Sequence, residues 1–406
     1  METKGLLSET FRNLVAKDDY VMKTEATEDV GYKTGFLNLD YLNGYIAEEL
    51  NASTGEVKEY FNVGLTDGSY ITFIGNTGTG KTTLVCQIAA NIVRRFPTST
   101  IFEDNIEGGL THARRLALSQ FTPEEYHTRY IIRNIGITSE NFYRRIKMIY
   151  DEKVNNPDKY LYDTGHTDMY GNPIMKLEPT VYILDSIAMI MPEKFTEEDE
   201  LSGNSAAAAS ARVITQIFRQ IIPMLKAANI ILIGINHILE DVNMGMIPKK
   251  QAIPYLKQGE RMPKGRTVAF LANNIIRIDN AQKLKEDEGY HVEGSIVEIS
   301  IVKSRSSGKK GGTRVVYDFA NGFDPWLSLL EFLKSNKLLY GAGSSLYFEP
   351  EKKYRFSYGT FREKIYEDEE FRVEFFKTCL NYLKQIPTKR NNASSIKISD
   401  LLLEDM

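Results

Sequence analysis

The chain carries the stretch Gly75-Asn76-Thr77-Gly78-Thr79-Gly80-Lys81-Thr82-Thr83, which fits the pattern G-x-x-x-x-G-K-[ST]. An apolar, β-branched and aromatic run, 69–74, precedes it, and apolar residues at helical spacing come after it over 84–93. In this order of strand, glycine-rich loop and helix, backbone N–H groups and a helix N-terminus converge on one anion. The stretch therefore predicts a loop that binds the phosphates of ATP, with Lys81 at the β- and γ-phosphates and the Thr82 hydroxyl on Mg²⁺.

The composition is that of an ordinary globular protein. Of 406 residues, 42% are apolar and 26% are charged, and the formal net charge is −4. This balance excludes a globally basic surface for nucleic acid but leaves room for a local basic strip. The only cysteines, Cys86 and Cys379, cannot build a disulfide framework or a metal cluster and suit a reducing compartment. No apolar run approaches the ~18 residues of a membrane span, and the N-terminus has no apolar signal core. We therefore expect a cytoplasmic protein without a membrane partner.

Strand-like and helical patterns alternate from about 69 to 320. This predicts an α/β fold, a mostly parallel twisted sheet with crossover helices on its faces. The predicted strands are 70–74, 100–103, 130–133, 180–184, 230–235, 274–278 and 295–302. The predicted parts are an N-terminal arm (1–32), a core (33–325), a small C-terminal α/β subdomain (326–390) and a flexible tail (391–406). A polar stretch, 151–178, is predicted to be a surface excursion.

Carboxylates come directly after two of the predicted strands. Strand 180–184 ends in Asp185, at the sheet edge where a carboxylate can hold the Mg²⁺ shell beside the glycine-rich loop. ATP hydrolysis also needs a group that accepts a proton or orients water. Strand 100–103 supplies three candidates: Glu107, which precedes two glycines, is preferred, and Glu103 and Asp104 remain alternatives.

Strand 230–235 ends in Asn236 and His237, polar residues that can touch the γ-phosphate and report its presence to the next segment of the chain. That segment, 241–266, lacks periodicity and, at this length, is unusual unless it is functional or disordered. Its cations are Lys249, Lys250, Lys257, Arg261, Lys264 and Arg266. Cations along a groove bind nucleic-acid phosphates with little sequence preference. The segment therefore predicts a contact with DNA, although a solvated basic face would have the same composition.

Taken together, the motifs resemble those of RecA-type DNA recombinases, most of all the bacteriophage UvsX-like branch. The resemblance covers roughly residues 30–385, and the order and spacing of short pieces carry it. Besides the glycine-rich loop, these pieces are Thr34-Gly35-Phe36-Leu37-Asn38-Leu39-Asp40, Leu184-Asp185-Ser186-Ile187-Ala188, Ser210-Ala211-Arg212-Val213-Ile214-Thr215-Gln216 at the opening of a helix, Ile235-Asn236-His237, Lys303-Ser304-Arg305, Gly322-Phe323-Asp324-Pro325, Leu329-Leu330-Glu331 and Lys337-Leu338-Leu339.

The resemblance implies a P-loop RecA-like core and a DNA-dependent ATPase. Such an enzyme forms helical filaments on single-stranded DNA and exchanges strands with homologous duplex DNA in recombination, repair and recombination-dependent replication. It implies a homo-oligomer with ATP at the subunit interfaces, an N-terminal arm on the neighbouring core, and room for single-strand-binding and mediator proteins as further partners. If the phage-like branch is right, the compartment is the cytoplasm of an infected bacterium.

The resemblance also assigns roles to residues. It places a first DNA-binding loop near 191–208, with Gly203, Asn204 and Ser205, and a second at about 239–267, with Lys249, Lys250, Arg261, Lys264, Gly265 and Arg266. It maps the catalytic glutamate onto Glu107, the residue that couples ATP to the second loop onto His237, and two cations that reach the neighbour's ATP onto Lys303 and Arg305. Such cations stabilise charge on the γ-phosphate and make hydrolysis depend on assembly.

Two features depart from the family pattern. The acidic turn 105–109 does not align cleanly, so Glu103 and Asp104 stay open, and the aromatic residue expected to stack on adenine is missing, which leaves His112 or Arg114. Two interpretations compete with a recombinase: a ring-forming replicative helicase of the same superfamily, and a DNA-binding ATPase paralogue without strand exchange. The short segment ahead of the core and the C-terminal segment after Trp326 argue against the helicase. The intact set of Lys81, Thr82, Glu107 and Asp185 argues against lost hydrolysis.

Overall fold

A computed structural model describes residues 29–51, 54–168, 171–195, 203–240, 255–263, 269–286 and 289–389. The strands are, in chain order, β1 Gly31–Tyr32, β2 Tyr45–Leu50, β3 Val57–Asn62, β4 Leu65–Thr66, β5 Tyr70–Gly75, β6 Ile101–Asn105, β7 Tyr130–Arg133, β8 Leu161–Thr167, β9 Pro173–Leu177, β10 Thr180–Asp185, β11 Ile230–His237, β12 Leu239–Glu240, β13 Glu260–Arg261, β14 Asn274–Leu284, β15 Gly294–Ser304, β16 Gly311–Asp318, β17 Gly322–Asp324, β18 Tyr340–Ala342, β19 Ser345–Tyr347 and β20 Thr388–Lys389.

The α-helices are α1 Leu37–Leu42, α2 Lys81–Val93, α3 His112–Ser119, α4 Pro123–Arg129, α5 Ser139–Asn155, α6 Gly203–Ala227, α7 Pro325–Ser335, α8 Phe361–Glu367 and α9 Glu369–Leu383, with short 3₁₀ turns at Pro157–Lys159 and Glu193–Phe195. Helix α6 begins at Gly203, seven residues before Ser210, where the sequence pattern suggested an opening. None of the helices within the described ranges is both long enough and apolar enough to cross a membrane.

A nine-stranded sheet in the order β17-β16-β15-β14-β5-β11-β10-β6-β7 forms the centre of the fold. The strands from β14 to β7 in that order pair in parallel, and β15, β16 and β17 continue the sheet in antiparallel fashion. All seven predicted strands belong to this sheet. The predicted α/β fold with a mostly parallel sheet flanked by helices is therefore confirmed.

The central strands are buried on both faces, which explains why their sequences are continuous apolar runs. Side chains alternate across β5: Ile71 and Phe73 join a core with helix α2, whereas Tyr70 and Ile74 join a second core with α5 and α6. Every residue of β5 and β10 is buried. The sheet is therefore packed between two helical layers. The side chains that are free to bind a ligand lie in the loops at the ends of its strands.

Parallel pairing brings the carboxyl ends of several strands to one sheet edge. Gly75 lies in register with His237 and with Ile278, and Asp185 lies in register with Asn105. The glycine-rich loop, the residues after β6, Asp185 and the end of β11 therefore meet at this edge, which we call the loop edge. The end of β15 lies at the other edge, because Ser304 pairs with Asn274, which pairs with Ile71 at the start of β5.

The stretch 151–178 is more regular than its polar composition suggested. Helix α5 continues to Asn155, and β8 and β9 form a hairpin that buries Ile174 and Leu177. This hairpin packs against a second one, β2 and β3: the rings of Tyr60 and His166 lie 4.1 Å apart. The hairpin is a separate sheet outside the central one, and its regular pairing was not evident from the sequence because its inward-facing residues are few and widely spaced.

The C-terminal part forms its own aromatic core. Asp324 caps helix α7 by accepting hydrogen bonds from the backbone N–H groups of Trp326 and Leu327. Helices α7, α8 and α9 then enclose an aromatic cluster made by Phe348, Phe356, Phe361, Phe371 and Phe375. Residues 1–28 and 390–406, which include most of the predicted arm and tail, lie outside the described residues.

Candidate nucleotide-binding site

The glycine-rich loop 75–83 connects β5 to α2. Gly80 precedes the helix with φ of 81°, and a Cβ there would lie 2.9 Å from the ring of Tyr317, so a larger residue would clash. The Lys81 ammonium donates to the carbonyls of Gly75 and Asn76 at 3.0 and 2.8 Å. Burial lowers the pKa of Lys81 to about 8, and the carboxylates of Asp185 and Glu107 act against this shift. An anion in the loop would give this buried ammonium a stronger partner than two carbonyls.

Thr82 and Asp185 face one another across the loop edge. The Thr82 hydroxyl donates to Asp185 Oδ2 at 2.7 Å. Asp185 is 1% exposed, and its Oδ1 has no hydrogen-bond partner among the residues that the structure describes. Burial raises the pKa of the Asp185 carboxyl to about 6, with the Thr82 hydrogen bond acting in the opposite direction. A hydroxyl and a carboxylate with a spare oxygen are the hard ligands that Mg²⁺ prefers, so this pair fits the ion that the motif implies.

The three candidate carboxylates, two on β6 and one just after it, differ in the partners that hold them. Arg115 donates two hydrogen bonds to Glu103, at 2.9 and 2.5 Å, and Tyr130 donates a third at 2.7 Å. The guanidinium of Arg145 and the hydroxyl of Tyr182 both donate to Asp104. Glu103 and Asp104 are therefore each engaged in a buried ion pair.

Glu107, by contrast, lies at the loop edge. Its side chain is 29% exposed, and Nε2 of His237 lies 2.7 Å from its Oε1. These contacts favour Glu107 over Glu103 and Asp104 as the group that could receive a proton, because it combines solvent access with a position opposite the glycine-rich loop.

The end of β11 contacts two other parts of the edge. His237 reaches Glu107, and its Nδ1 is buried without a partner in the described part of the chain. The neighbouring Asn236 donates to the carbonyl of Pro263 at 3.3 Å. Asn236 and His237 therefore connect the candidate base with residues 255–263, the described part of the basic segment.

An aromatic group that the sequence did not reveal lies beside the start of α2. The rings of Tyr317 and Phe323 stack at 4.5 Å, and Phe319, which is 51% exposed, meets Tyr317 edge-on. The Tyr317 hydroxyl lies 3.4 Å from that of Thr83. These residues come more than two hundred positions after β5, so spacing near residue 107 could not locate them.

The two residues suggested for adenine stacking are already engaged. His112 hydrogen-bonds the Tyr126 hydroxyl at 3.1 Å, and Arg114 donates to the carbonyls of Phe319 and Ala320. Arg114 therefore holds the turn that presents Phe319, and the exposed Phe319 ring is the better candidate to stack on a base.

Lys303 and Arg305 lie away from the loop edge. Both donate to the carbonyl of Phe270, at 2.5 and 2.8 Å, and both lie over its ring, which is 67% exposed. Burial lowers the pKa of Lys303 to about 8, and the charge of Arg305 adds to the effect. Four residues of β5, or ~13 Å of strand, separate their edge from the glycine-rich loop of the same chain. The structure does not bring these cations together with Lys81.

The residues expected to contact DNA are described only in part. Gly203, Asn204 and Ser205 form the first turn of α6, and Arg261 lies on β13, paired with Leu239. Lys249, Lys250, Lys264, Gly265 and Arg266 lie outside the described residues. Within the described part of the second predicted loop, β12 and β13 pair with each other over two residues.

Comparison with known proteins adds no argument to the geometry. No family model matches the chain, and no curated protein matches it. Among solved structures, the crystal structure of the RadB recombinase aligns at 17% sequence identity over 64% of this chain and 92% of that chain, with a TM-score of 0.39. A likeness at this score carries no argument about function.

Proposed function

We propose that the chain is a DNA-stimulated ATPase of the RecA type, and specifically a recombinase of the UvsX-like branch that assembles on single-stranded DNA and exchanges strands with homologous duplex DNA. One observation carries the proposal. Four separate segments of the chain converge on the loop edge, next to β12 and β13, and they supply Lys81 with Thr82, Glu107, Asp185 and His237. A buried lysine, a hydroxyl–carboxylate pair and a partly exposed carboxylate are the parts that phosphoryl transfer to water needs.

Each residue has a distinct task in hydrolysis. Lys81 exchanges its carbonyl partners for phosphate oxygens, and its buried position strengthens that attraction. Thr82 and Asp185 would hold Mg²⁺, whose charge would offset that of the phosphate oxygens. Glu107 orients the attacking water and receives its proton.

His237 gives the site a way to report the nucleotide. Its Nε2–H donates to Glu107 in this arrangement, and a γ-phosphate would compete for the same donor. Transfer of that hydrogen bond would free Glu107 for catalysis. The same transfer would pull on the end of β11. This strand leads directly into the paired strands β12 and β13.

Assembly completes the site. Because Lys303 and Arg305 lie at the opposite edge of the sheet, they can reach an ATP only on another subunit. Contact between two different edges is a head-to-tail interface, which closes into a ring or continues as a helix. This supports a homo-oligomer with ATP between subunits, the arrangement expected of a filament.

The test is to measure ATP hydrolysis with and without single-stranded DNA and to image the protein with DNA and a non-hydrolysable ATP analogue. We expect stimulated hydrolysis, open helical filaments and strand exchange between homologous oligonucleotides. Closed rings that unwind a tailed duplex in one direction would instead indicate a helicase. Stimulated hydrolysis without exchange would indicate a paralogue, and equal rates with and without DNA would rule out the proposal.

A further inference from the structure

A buried ion pair fastens the described part of the basic segment to the central sheet. We call residues 255–263 the return limb. Glu260, on this limb, accepts two parallel hydrogen bonds from the guanidinium of Arg277 on β14, at 2.6 and 2.7 Å. The Arg277 side chain is 5% exposed and that of Glu260 is 14% exposed. A two-pronged pair of this kind fixes orientation as well as distance.

The pair lies next to the loop edge. Arg277 is in register with Ile74 of β5, and the next residue, Ile278, is in register with Gly75. A cavity of about 380 Å³ separates the glycine-rich loop from the return limb, and its lining includes Asn76, Glu240 and residues 257–260. The return limb is therefore joined to the strand beside the loop and faces the loop across an open space.

Arg277 has a second partner that does not belong to the limb. Asp279, two residues further along β14, accepts from the same guanidinium at 2.7 and 3.1 Å. The Arg277 charge would thus stay compensated if Glu260 were neutralised, so the fold has no strong need of Glu260. Buried ion pairs contribute little net stability compared with apolar packing, and their best-attested use is to select one arrangement.

We propose that Arg277 and Glu260 are positioning residues that hold the return limb, and with it the expected DNA contact Arg261, in one arrangement relative to the glycine-rich loop and its nucleotide. This inference rests on the proposed function. It adds a second connection between nucleotide and DNA, separate from the one through His237. The connection through His237 passes along strand β11, before the basic segment. The connection through Arg277 and Glu260 acts on the return limb.

The chain supplies a matched pair of variants. Glu260→Gln removes the negative charge by which the limb holds Arg277, and Asp279→Asn removes the same kind of charge from the same arginine but leaves the limb attached. Lys257 also contacts Asp279, at 3.3 Å, but it is 67% exposed, and such a contact is worth little. Glu331→Gln serves as a stability control, because Glu331 is a buried carboxylate in the C-terminal core, with Arg314 and Lys334 as its cations.

Single-stranded DNA affinity and DNA stimulation of ATP hydrolysis are measured on the full chain by fluorescence anisotropy and steady-state kinetics. We expect Glu260→Gln to raise the Kd for DNA about tenfold, the effect of losing one charge-assisted pair, and to lower the stimulation factor. The KM for ATP without DNA is the internal reference. Asp279→Asn and Glu331→Gln should bind DNA like the wild type.

Hydrogen exchange without DNA separates this inference from the proposed function. We expect faster amide exchange in residues 255–263 for Glu260→Gln but not for Asp279→Asn. If the wild type binds no single-stranded DNA, the proposed function fails, and unchanged exchange in Glu260→Gln would then overturn the fastening as well. If the wild type binds DNA and Glu260→Gln matches it in affinity and stimulation, the inference is wrong.

Discussion

At the scale of single residues, the hydrogen-bond partner of each carboxylate decides which of them is available for chemistry at the loop edge. Glu103 and Asp104 belong to the same acidic cluster as Glu107, yet buried arginines hold both of them. Glu107 instead shares a hydrogen bond with His237, a partner that can be drawn away. A carboxylate with an exchangeable partner can serve as a base in one state and be held inactive in another.

We expect Glu107→Gln to lower kcat for ATP by about 10²- to 10³-fold, because an amide cannot accept the proton of the attacking water. Affinity for ATP should stay near that of the wild type, since Lys81 and the loop are untouched. Single-turnover kinetics and nucleotide binding measure the two quantities. Glu103→Gln is the control: it should lower the melting temperature, because it leaves Arg115 buried without its ion-pair partner. A Glu107→Gln enzyme with normal kcat would return the role to Glu103 or Asp104.

Asp185→Asn should separate stability from activity. Because burial raises the carboxyl pKa to about 6, against an ordinary 3.8, the group's contribution to stability falls as pH rises between these values and stays lowest above them. At pH 8 the neutral variant should therefore melt no lower than the wild type. It should nevertheless need at least about tenfold more Mg²⁺ for half-maximal hydrolysis, since a carboxylate ligand is lost. A lower melting temperature at pH 8 or an unchanged Mg²⁺ requirement would contradict this account.

Local sequence predicted the parts of the site that are local in space. The glycine-rich loop and Asp185 could be identified because a strand, a turn and a helix N-terminus succeed one another along the chain. The partners that distinguish Glu107 could not, because Arg145 lies 41 residues from Asp104 and comes from another layer. Tyr317 is 234 residues from Thr83, and only the pairing of β16 within the sheet brings them together.

At the scale of elements, helix α5 is joined to the sheet by a buried lysine. Lys153, 3% exposed, donates to the carbonyl of Glu178 at 2.6 Å, the Thr180 hydroxyl at 3.2 Å and the carbonyl of Asn229 at 3.5 Å. These three oxygens, from the start of β10 and from the residues just before β10 and β11, thus converge on the last turn of one helix. The polar composition of 151–178 concealed this, because the sequence pattern does not distinguish a lysine that is buried from one that is solvated.

This lysine gives the protein a distinctive pH dependence. Burial lowers the pKa of Lys153 to about 7, against 10.5 in the unfolded chain. Between these values the unfolded state binds the extra proton, so the free energy of unfolding rises with pH by up to about 1.4 kcal/mol per unit. Lys153→Met should lose this dependence. Denaturant titrations at pH 7, 8 and 9 compare the two proteins. Lys147→Met, on the same helix but with an exposed side chain, should keep the wild-type slope, and an equal slope in Lys153→Met would refute the assignment.

At the scale of the whole molecule, two sets of candidate site residues lie at opposite ends of the strands. Lys81, Thr82, Asp185 and Glu107 lie at the loop edge, and Lys303 and Arg305 lie at the other. The exposed Phe270 ring between the two cations gives that second edge an apolar centre, which suits contact with another subunit better than contact with water. Under the proposed function, the assembly rather than the single chain would hold a complete catalytic site.

Mixing variants tests this division. The double variant Lys303→Ala/Arg305→Ala should bind ATP normally but hydrolyse it at least about 10²-fold more slowly on DNA, because the cations that stabilise γ-phosphate charge are gone. Lys81→Ala should be inactive for the complementary reason. In a random 1:1 mixture, about a quarter of head-to-tail contacts join an intact loop edge to an intact cation edge, so about a quarter of wild-type activity should return.

The matched control is a mixture of Lys81→Ala with Glu107→Gln. Both changes affect the loop edge, so no contact in that mixture contains a complete site, and activity should stay low whatever the ratio. Recovery in this control, or none in the first mixture, would mean that the two edges do not cooperate across subunits. A large loss of ATP affinity in the dilute double variant would instead mean that Lys303 and Arg305 act within their own chain, against the separation that the strand register imposes.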